Sequence, residues 1–227
     1  MSRAETYYKQ FAKNLPLEWE IQILEQNLKA KGKTLDIGCG TGRLLTQLSP
    51  KEYDLTGIDT NKEFLNAAKD KLEKQNVEVN LVIADTRKLP FKAETFENVY
   101  STGNVLGEVD IHAKDRKLML DEMTNATKPN GTIIIEFVHR YWNFKDLPYW
   151  LWRYFATAWK KIGGSSSEYG DYKETYQIDS RQIKLTYHAF TTHEAQKLLK
   201  TDGLATTMKK RGFFFHDWFF VIGSKTR

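Results

Sequence analysis

Apolar runs and amphipathic stretches alternate along residues 33–138. Five short apolar runs predict buried strands: KTLDIG, YDLTGID, VEVNLVIAD, FENVYST and, after the predicted turn KPNG, GTIIIEFV. The stretches between them place apolar residues three or four positions apart, which predicts the helices TGRLLTQL, NKEFLNAAKDKLEKQ and AKDRKLMLDEMTNAT. This repeated strand–helix order predicts a mostly parallel sheet with helices on both faces.

The pattern is different on either side of this region. Residues 7–28 have the apolar spacing of a helix, with Pro16 as its break. Residues 139–172 are aromatic and end near a Gly/Ser-rich loop, which predicts an insertion after strand five. Residues 173–227 predict a strand pair, a short helix with a threonine cap, and two final antiparallel strands at the sheet edge.

Composition is that of an ordinary globular chain. Of its 227 residues, 28% are charged and 41% hydrophobic, and the net charge of +5 fits a solvated lysine-rich surface. A single cysteine, Cys39, excludes an internal disulfide and a cysteine zinc cluster. A first segment without the apolar centre of a signal peptide favours a cytoplasmic location. The apolar stretch 147–159 contains Arg153 and is shorter than the about 20 residues that cross a bilayer, so we expect no membrane span.

Three glycines occupy alternate positions in LDIGCGTGR, directly after the first predicted strand: Gly38, Gly40 and Gly42. A strand that turns through such a loop into a helix exposes backbone N–H groups, so a flat or polar ligand can lie against it. Asp59 ends the second predicted strand, where an acid can hold two ribose hydroxyls, and Asp85 ends the third. The structural alternative for a single aspartate is a helix cap or a surface ion pair. Together, these residues predict a nucleoside site at the carboxyl ends of the strands.

Two other cofactor classes fit this loop less well. A nicotinamide dinucleotide motif has glycine at its sixth position, where this chain has Arg43. The lysine and hydroxyl residue that complete a nucleoside-triphosphate loop do not follow the glycines. A nicotinamide oxidoreductase is therefore a disfavoured alternative, which NADH binding would support.

In order and spacing, LDIGCGTGR, GID with TNKEFL, ADTRKLPF, FENVYSTGN and KPNGTIIIE resemble the motifs of class I S-adenosylmethionine-dependent methyltransferases. The resemblance implies an α/β, Rossmann-like fold with a seven-stranded, mostly parallel sheet flanked by helices. Its last strand is expected to be antiparallel, with the aromatic insertion after strand five. We expect one methyltransferase domain over 1–227, composed of N-terminal lid helices in 1–30, a cofactor-binding core in 33–138, an acceptor cap in 139–172 and closing elements in 173–227.

The resemblance implies S-adenosyl-L-methionine as the cofactor. It assigns the methionine part to the glycine loop, the methionine amino group to Asp36 and the ribose to Asp59. Phe64 and residues 85–86 are assigned to the adenine, and residues 101–102 to the sulfonium. The expected cofactor-binding residues are Asp36, Gly38, Cys39, Gly40, Gly42, Asp59, Thr60, Phe64, Asp85, Thr86, Ser101 and Thr102. Aromatic residues of an N-terminal helix resemble a lid over the cofactor: Tyr7, Tyr8 and Phe11.

The methyl acceptor is defined mainly by exclusion. The fourth strand ends in STGNVLGEV, without the Asn/Asp-Pro-Pro-aromatic pattern of methylation on base amines, and TGNVLGEV is similar to small-molecule N-methyltransferases. The single cysteine, Cys39, lies in the glycine loop, which excludes a mechanism with a cysteine nucleophile. The sequence has no carboxylate cluster of the kind that binds magnesium, so we expect no metal. The sequence favours in-line methyl transfer to nitrogen or oxygen of a small molecule. Candidate catalytic residues, each with a structural role as the alternative, are Asn104, Glu108, His139, Tyr187 and His188.

Two further functions stay open. A tRNA methyltransferase is suggested by the tail YHAF…DWFFVIGSK and by basic residues that could contact phosphates: Lys160, Lys161, Lys209, Lys210 and Arg211. A cofactor-binding module without transferase activity is the other alternative. The insertion predicts either an aromatic roof over the acceptor, or a cap core or dimer contact, through Tyr141, Trp142, Trp150, Trp152 and Trp159. We expect a monomer or a homodimer.

Overall fold

The computed structural model describes residues 17–49, 53–108, 111–140, 148, 151–152, 155, 168, 170–178, 181–200, 204–210 and 218–226. Its helices are α1 (Leu17–Asn27), α2 (Leu45–Leu48), α3 (Lys62–Lys74), α4 (Ala113–Ala126) and α5 (Thr192–Leu199), with a 3₁₀ turn at Val105–Gly107. Its strands are β1 (Lys33–Ile37), β2 (Asp54–Asp59), β3 (Asn80–Ile83), β4 (Phe96–Ser101), β5 (Thr127–Val138), β6 (Asp171–Ile178), β7 (Arg181–His188), β8 (Leu204–Lys210) and β9 (Trp218–Lys225).

Seven of the described strands form one sheet in the order β3-β2-β1-β4-β5-β9-β8, and β6 pairs with β7 in a separate antiparallel pair. Strands β1 to β5 run parallel. Strand β9 pairs antiparallel with both β5 and β8. The predicted seven-stranded, mostly parallel sheet with an antiparallel last strand is therefore confirmed.

The strand order reverses between β1 and β4, because the chain runs outward from β1 to β3 and then returns to the other side of β1. In the register of the sheet, Asp36 of β1 lies beside Gly57 of β2 and Tyr100 of β4. The carboxyl ends of these three strands therefore meet at one edge. This is the edge at which sheets of this kind bind their ligands.

Strand β5 shows how both faces of the sheet are buried. Ile133 and Ile135 pack in the apolar layer with α4 and α5, whereas Ile134 packs in the opposite layer with α1 and α3. Successive side chains of a strand point to opposite faces, so this all-apolar run fills both layers. Burying each such side chain stabilises the fold by about 1.5–3 kcal/mol. Glu136 breaks the apolar run and is nevertheless only 1% exposed.

Several predicted boundaries differ in the structure. The third strand, predicted over VEVNLVIAD (77–85), spans only Asn80–Ile83. The helix predicted from Thr41 begins only at Leu45, because Gly42 has a φ of +72°, outside the range of a right-handed helix. The predicted turn KPNG lies inside β5. There, Asn130 has a φ of +62° and the register with β4 shifts. The turn is thus an irregularity within a longer strand.

The predicted C-terminal elements are confirmed. Strands β6 and β7 pair from Asp171 with His188 to Ile178 with Arg181. Helix α5 has Thr191 as its N-cap, and the Thr191 hydroxyl accepts the Glu194 N–H at 3.1 Å in a capping box.

Several predicted features fall outside the described residues, among them the lid aromatics Tyr7, Tyr8 and Phe11 and most of the insertion, including Tyr141, Trp142, Trp150 and Trp159. Within the insertion, the described Leu151, Trp152 and Phe155 are helical positions that are 54%, 63% and 69% exposed. Among the described helices, none has the length and apolar character needed to cross a membrane. The division into lid, core, cap and closing elements stays a prediction.

Candidate functional site

The three glycines after β1 share one backbone requirement and differ in their surroundings. All have positive φ angles, of +70° at Gly38, +54° at Gly40 and +72° at Gly42, which side-chain-bearing residues rarely adopt. A Cβ at Gly38 would lie 2.5 Å from a Val105 methyl, and one at Gly42 would lie 3.0 Å from the Ala68 Cβ. A Cβ at Gly40 would meet no atom within 4 Å among the described residues. Gly38 and Gly42 therefore allow close packing, whereas Gly40 faces open space.

Asp59 at the end of β2 contacts this loop directly. Its Oδ2 accepts the Gly40 N–H at 3.0 Å, and its Oδ1 accepts the Asn61 N–H at 2.8 Å. Burial raises the pKa of the Asp59 carboxyl, and the backbone donors of Asn61, Gly40 and Thr60 oppose that rise. The structure thus brings together the predicted glycine loop and the predicted ribose-binding acid. Thr60, the next residue, is exposed.

Asp36 lies below the loop and is only 2% exposed. Burial raises its pKa to about 7, although the neighbouring Tyr100 hydroxyl and the charge of Arg43 act in the opposite direction. The Tyr100 hydroxyl is buried and makes no hydrogen bond of standard geometry with the described residues. Asp36 therefore holds a proton more readily than an exposed aspartate does.

Three charged residues that the sequence analysis did not assign to the site complete this buried region. Arg43 at the end of the glycine loop forms a two-pronged ion pair with Glu20 of α1, with N–O distances of 2.5 and 2.6 Å. Glu136 of β5 accepts the Gly103 N–H on Oε2 at 2.7 Å. In the sequence, Glu136 is visible as a charged residue inside the apolar run IIIEFV, but the sequence does not show which residue it contacts.

Asp85 lies just beyond β3 with a 42% exposed side chain. Its carboxylate accepts from the Arg87 guanidinium, at 2.6 Å for Nη2 and 3.0 Å for Nε, and from the Arg87 N–H at 2.9 Å. The hydrogen bond with the Arg87 side chain lowers the pKa of Asp85. Here the surface ion pair, the structural alternative, is observed, and the adenine role stays a prediction. Thr86 is buried and Phe64 is half-buried.

The loop after β4 lies across the switch point from the glycine loop. The Ser101 hydroxyl donates to the carbonyl of Ile37, the last residue of β1, at 3.2 Å, and Thr102 is buried. Gly103 has a φ of +71°, and a Cβ there would meet no described atom within 4 Å. Among the described residues, open space therefore lies beside both loops, after β1 and after β4. Cys39 is a buried free thiol, and burial raises its pKa well above the usual value.

The structure brings the five candidate catalytic residues into one region beyond β4, β5 and β7. Asn104 donates to the His188 carbonyl at 3.1 Å and accepts the Val138 N–H at 3.3 Å. Exposed Glu108 and half-buried Tyr187 pair through their backbones in an isolated antiparallel β-bridge. Half-buried His139 packs edge-on against Phe219, with ring centroids 5.7 Å apart. The Asn104 amide is thus engaged with main-chain groups on both sides.

His188 is buried between two acidic side chains. Its Nδ1 lies 3.1 Å from Asp171 Oδ1 and its Nε2 lies 3.1 Å from Glu194 Oε1, while Arg140 pairs with Glu194 at 2.5 Å. These contacts agree with the structural alternative for His188, since neither ring nitrogen faces an open site. Catalytic roles for the five candidates stay predictions.

The basic residues proposed for RNA contact are only partly described. Lys209 is exposed on the edge strand β8. Lys160, Lys161 and Arg211 lie outside the described residues, and so does the side chain of Lys210.

Strand order, glycine loop and strand-end acids define the class of protein. The sheet is doubly wound with one antiparallel strand, the described residues leave space at the switch point, and a carboxylate binds the glycine loop. These features are typical of an α/β protein that binds a nucleoside cofactor.

Comparisons with known proteins identify the cofactor class. Residues 34–131 match the family described as a methyltransferase domain. The ubiquinone biosynthesis O-methyltransferase of Coxiella burnetii is 25% identical over 202 residues, which cover 77% of this chain and 83% of that protein. A solved S-adenosylmethionine-dependent methyltransferase of Methanosarcina mazei has a TM-score of 0.70 at 20% identity, covering 90% of this chain and 97% of its own. Another, from Clostridium acetobutylicum, has a TM-score of 0.72 at 17% identity, covering 99% and 98%.

Residues 34–131 thus form a methyltransferase domain, and the chain is an S-adenosylmethionine-dependent methyltransferase with S-adenosylmethionine as its cofactor. The described residues fit this group. Gly40 faces open space and Asp59 lies beside it. Asp36, at the end of β1 directly before the loop, is a buried carboxyl whose charged form a cationic ligand would favour.

Proposed function

We propose that this methyltransferase transfers a methyl group to nitrogen or oxygen of a small-molecule acceptor by in-line displacement. The observation that carries the proposal is the open space beside Gly40 and Gly103 at the switch point between β1 and β4. The two glycines lie in the loops that follow the adjacent strands β1 and β4, so a cofactor lying on one loop has its reactive part near the other.

The proposed cofactor site follows the order of the strands. The glycine loop with Cys39 holds the methionine part, and the carboxyl of Asp36 recognises its amino group. The carboxylate of Asp59, with Thr60, holds the ribose hydroxyls through charge-assisted hydrogen bonds. Phe64, Asp85 and Thr86 hold the adenine, and Ser101 and Thr102 lie toward the sulfonium. Fixed donors and acceptors of this kind orient a ligand without reorganising when it binds.

The bound cofactor supplies a methyl group already activated by the positive charge on sulfur. The chain's residues then have to align the acceptor and exclude water, which are the main sources of acceleration for such a displacement. A side chain that removes a proton is required only for an acceptor that arrives protonated. Of the five candidates, Glu108, His139 and Tyr187 are not fully buried, and the backbones of Glu108 and Tyr187 pair beside the loop after β4.

A small-molecule acceptor is supported by three observations. The Coxiella burnetii relative is named for ubiquinone biosynthesis and O-methylation. The loop after β4 reads STGN rather than the pattern of base-amine methylation. Among the described residues, the predicted acceptor side is a compact set of polar groups that follow β4 and β5 or end β7.

Two measurements test the proposal. Calorimetric binding of S-adenosylmethionine and NADH identifies the cofactor, and tighter binding of NADH would contradict the proposal. Transfer of tritiated methyl is then measured with phenols, carboxylic acids, amines, an extract of the native cell and tRNA. Label in a small-molecule product supports the proposal. Label in tRNA with a steep salt dependence favours the tRNA alternative, and binding without any product favours the non-catalytic module.

A further inference from the structure

Glu20 and Glu136 are acidic residues buried in the apolar interior, and hydrogen bonding with Glu20 is one cause of the raised pKa of Glu136. Glu20, in the first turn of α1, is fully buried, and Glu136 is 1% exposed. Both oxygens of Glu20 accept from Arg43. One oxygen of Glu136 accepts from Gly103, whereas its Oε1 has no donor among the described residues.

The interaction of the buried Glu20 and Glu136 carboxyls is physically reasonable only with a proton between them. Burial, followed by the charge of Glu20, raises the pKa of Glu136 well above its usual value, and hydrogen bonding with Glu20 raises it further. Two carboxylates repel each other, but a carboxylic acid donates a hydrogen bond to a carboxylate. A proton on Oε1 gives this otherwise unpaired buried oxygen a partner.

We infer that Glu136 is a positioning residue for the cofactor. Glu136 shares one proton with Glu20, and Glu20 in turn binds Arg43. These contacts join helix α1, the glycine loop and the loop after β4 into one frame. The inference rests on the proposed cofactor site. Arg43 ends the glycine loop, and Gly103 lies directly after Thr102, so the two ends of the network are the two loops beside the open space.

The frame explains why a buried ionic network is kept in an apolar layer. An isolated buried pair gains little stability over apolar residues of the same size. This network holds two backbone segments that differ by 60 residues in sequence, Arg43 and Gly103, at a fixed separation. A displacement of either loop by a fraction of an ångström would misplace a ligand that contacts both.

Other charged groups around the pair determine its response to pH. Asp36 of β1 and Arg43 of the glycine loop act on the pair directly, whereas Cys39 of the glycine loop, Asp59 of β2, Lys71 of α3 and Tyr100 of β4 act on Asp36 or Arg43. The carboxyls outnumber the cations. This negative surplus favours retention of the shared proton.

Three variants test the inference. Glu136→Gln keeps an oxygen for the Gly103 N–H, and its amide N–H can replace the shared proton. Glu136→Ala removes both contacts. Glu97→Gln is the matched control, because Glu97 also accepts a backbone N–H at 2.7 Å, from Lys33, but at the opposite end of the sheet.

Dissociation constants for S-adenosylmethionine and S-adenosylhomocysteine are measured by calorimetry. We expect binding by Glu136→Gln and Glu97→Gln within about threefold of wild type, and at least about tenfold weaker binding by Glu136→Ala, the cost of roughly one lost buried hydrogen bond to a charged group. Wild-type binding tests the cofactor site itself, so its failure is distinguishable from failure of the positioning role. Binding by Glu136→Gln as weak as that of Glu136→Ala would show that charge, rather than the shared proton, is needed and would overturn the inference, as would wild-type binding by Glu136→Ala.

A second measurement uses the cofactor-free protein and does not depend on the folding of the alanine variant. The free energy of unfolding is followed by urea denaturation from pH 4 to 9 for wild type and Glu136→Gln. Because the folded protein holds the proton more tightly than the unfolded chain, wild-type stability should fall with rising pH relative to Glu136→Gln. Parallel profiles would mean that no proton is held and would overturn the inference.

Discussion

Gly40 and Asp59 are 19 residues apart in the chain, and the Gly40 N–H donates to Asp59 Oδ2 at 3.0 Å. This hydrogen bond joins the glycine loop to the end of β2. The other carboxylate oxygen accepts from Asn61, which in turn caps α3 by accepting the N–H groups of Glu63 and Phe64. Loop, acid and helix start therefore form one unit whose carboxylate is oriented by the backbone.

Replacing Asp59 should weaken cofactor binding without unfolding the protein. We expect Asp59→Ala to lose about 1.5–3 kcal/mol of binding free energy for S-adenosylmethionine, the range for hydrogen bonds to a charged group. The matched control is Asp54→Ala, because Asp54 is exposed at the other end of the same strand. Calorimetry on both variants checks this. An Asp59→Ala dissociation constant equal to that of the control would exclude the proposed ribose contact.

Alanine at Gly38 and at Gly40 should have different consequences. Gly38→Ala places a methyl group 2.5 Å from Val105, so we expect it to lower the free energy of unfolding by about 1–3 kcal/mol. Gly40→Ala collides with no described atom and places its methyl group in the space proposed for the cofactor, so beyond the strain of a positive φ its main effect should be on cofactor affinity. Urea denaturation and calorimetry separate the two.

The Gly38 collision can be isolated with a double variant. Val105→Ala removes the methyl group that Gly38→Ala would contact, so the destabilisation in Gly38→Ala/Val105→Ala should be less than the sum of the two single effects. Simple additivity of the free energies of unfolding would show that the collision is not the cause.

Asp36 should make the cofactor-free protein less stable as the pH rises. Its folded pKa of about 7 is above the ordinary value of 3.8 because of burial, so the folded state binds the proton more tightly. The stabilisation is complete below pH 3.8 and is lost as the pH rises to about 7, with a slope of at most about 1.4 kcal/mol per pH unit. Urea denaturation of wild type and Asp36→Asn between pH 4 and 8 checks this. A constant difference between the two profiles would contradict it.

His188 should be required for stability and not for cofactor binding. With a carboxylate oxygen 3.1 Å from each nitrogen of the buried ring, removal of the ring takes one hydrogen-bond partner from Asp171 and one from Glu194, so His188→Leu should cost about 1–3 kcal/mol of unfolding free energy. His193→Leu on the exposed side of α5 is the control. Should His188→Leu keep its stability and lose only methyl transfer, a catalytic role would be favoured instead.

Local patterns were sufficient for most of the elements. Apolar runs and helical spacing gave β1, β2, β4, α3 and α4 to within a residue or two, because these segments bury a regular stripe whatever they pack against. The same method placed the start of α2 four residues too early. Gly42 has a positive φ and packs closely against Ala68, and helical spacing of apolar residues contains neither feature.

Glu20, Arg43 and Glu136 show where the sequence stops being informative. Glu20 and Arg43 are 23 residues apart, and Glu136 and Gly103 are 33 apart. Each pair forms because the strand order brings distant segments to the same edge. An acidic residue in an apolar run is visible in the sequence, but its partner is not.

By itself, the sequence determined the strand–helix alternation, the glycine loop, the acids that end β2 and follow β3, and the resemblance to the methyltransferase family, because all of these depend on neighbours along the chain. Tertiary structure alone decided which glycine faces open space, that Asp85 pairs with Arg87, that His188 lies between two acids, and that Glu136 reaches Gly103. These contacts depend on how the sheet orders its strands, and local chemistry does not encode the distance between residues that folding brings together.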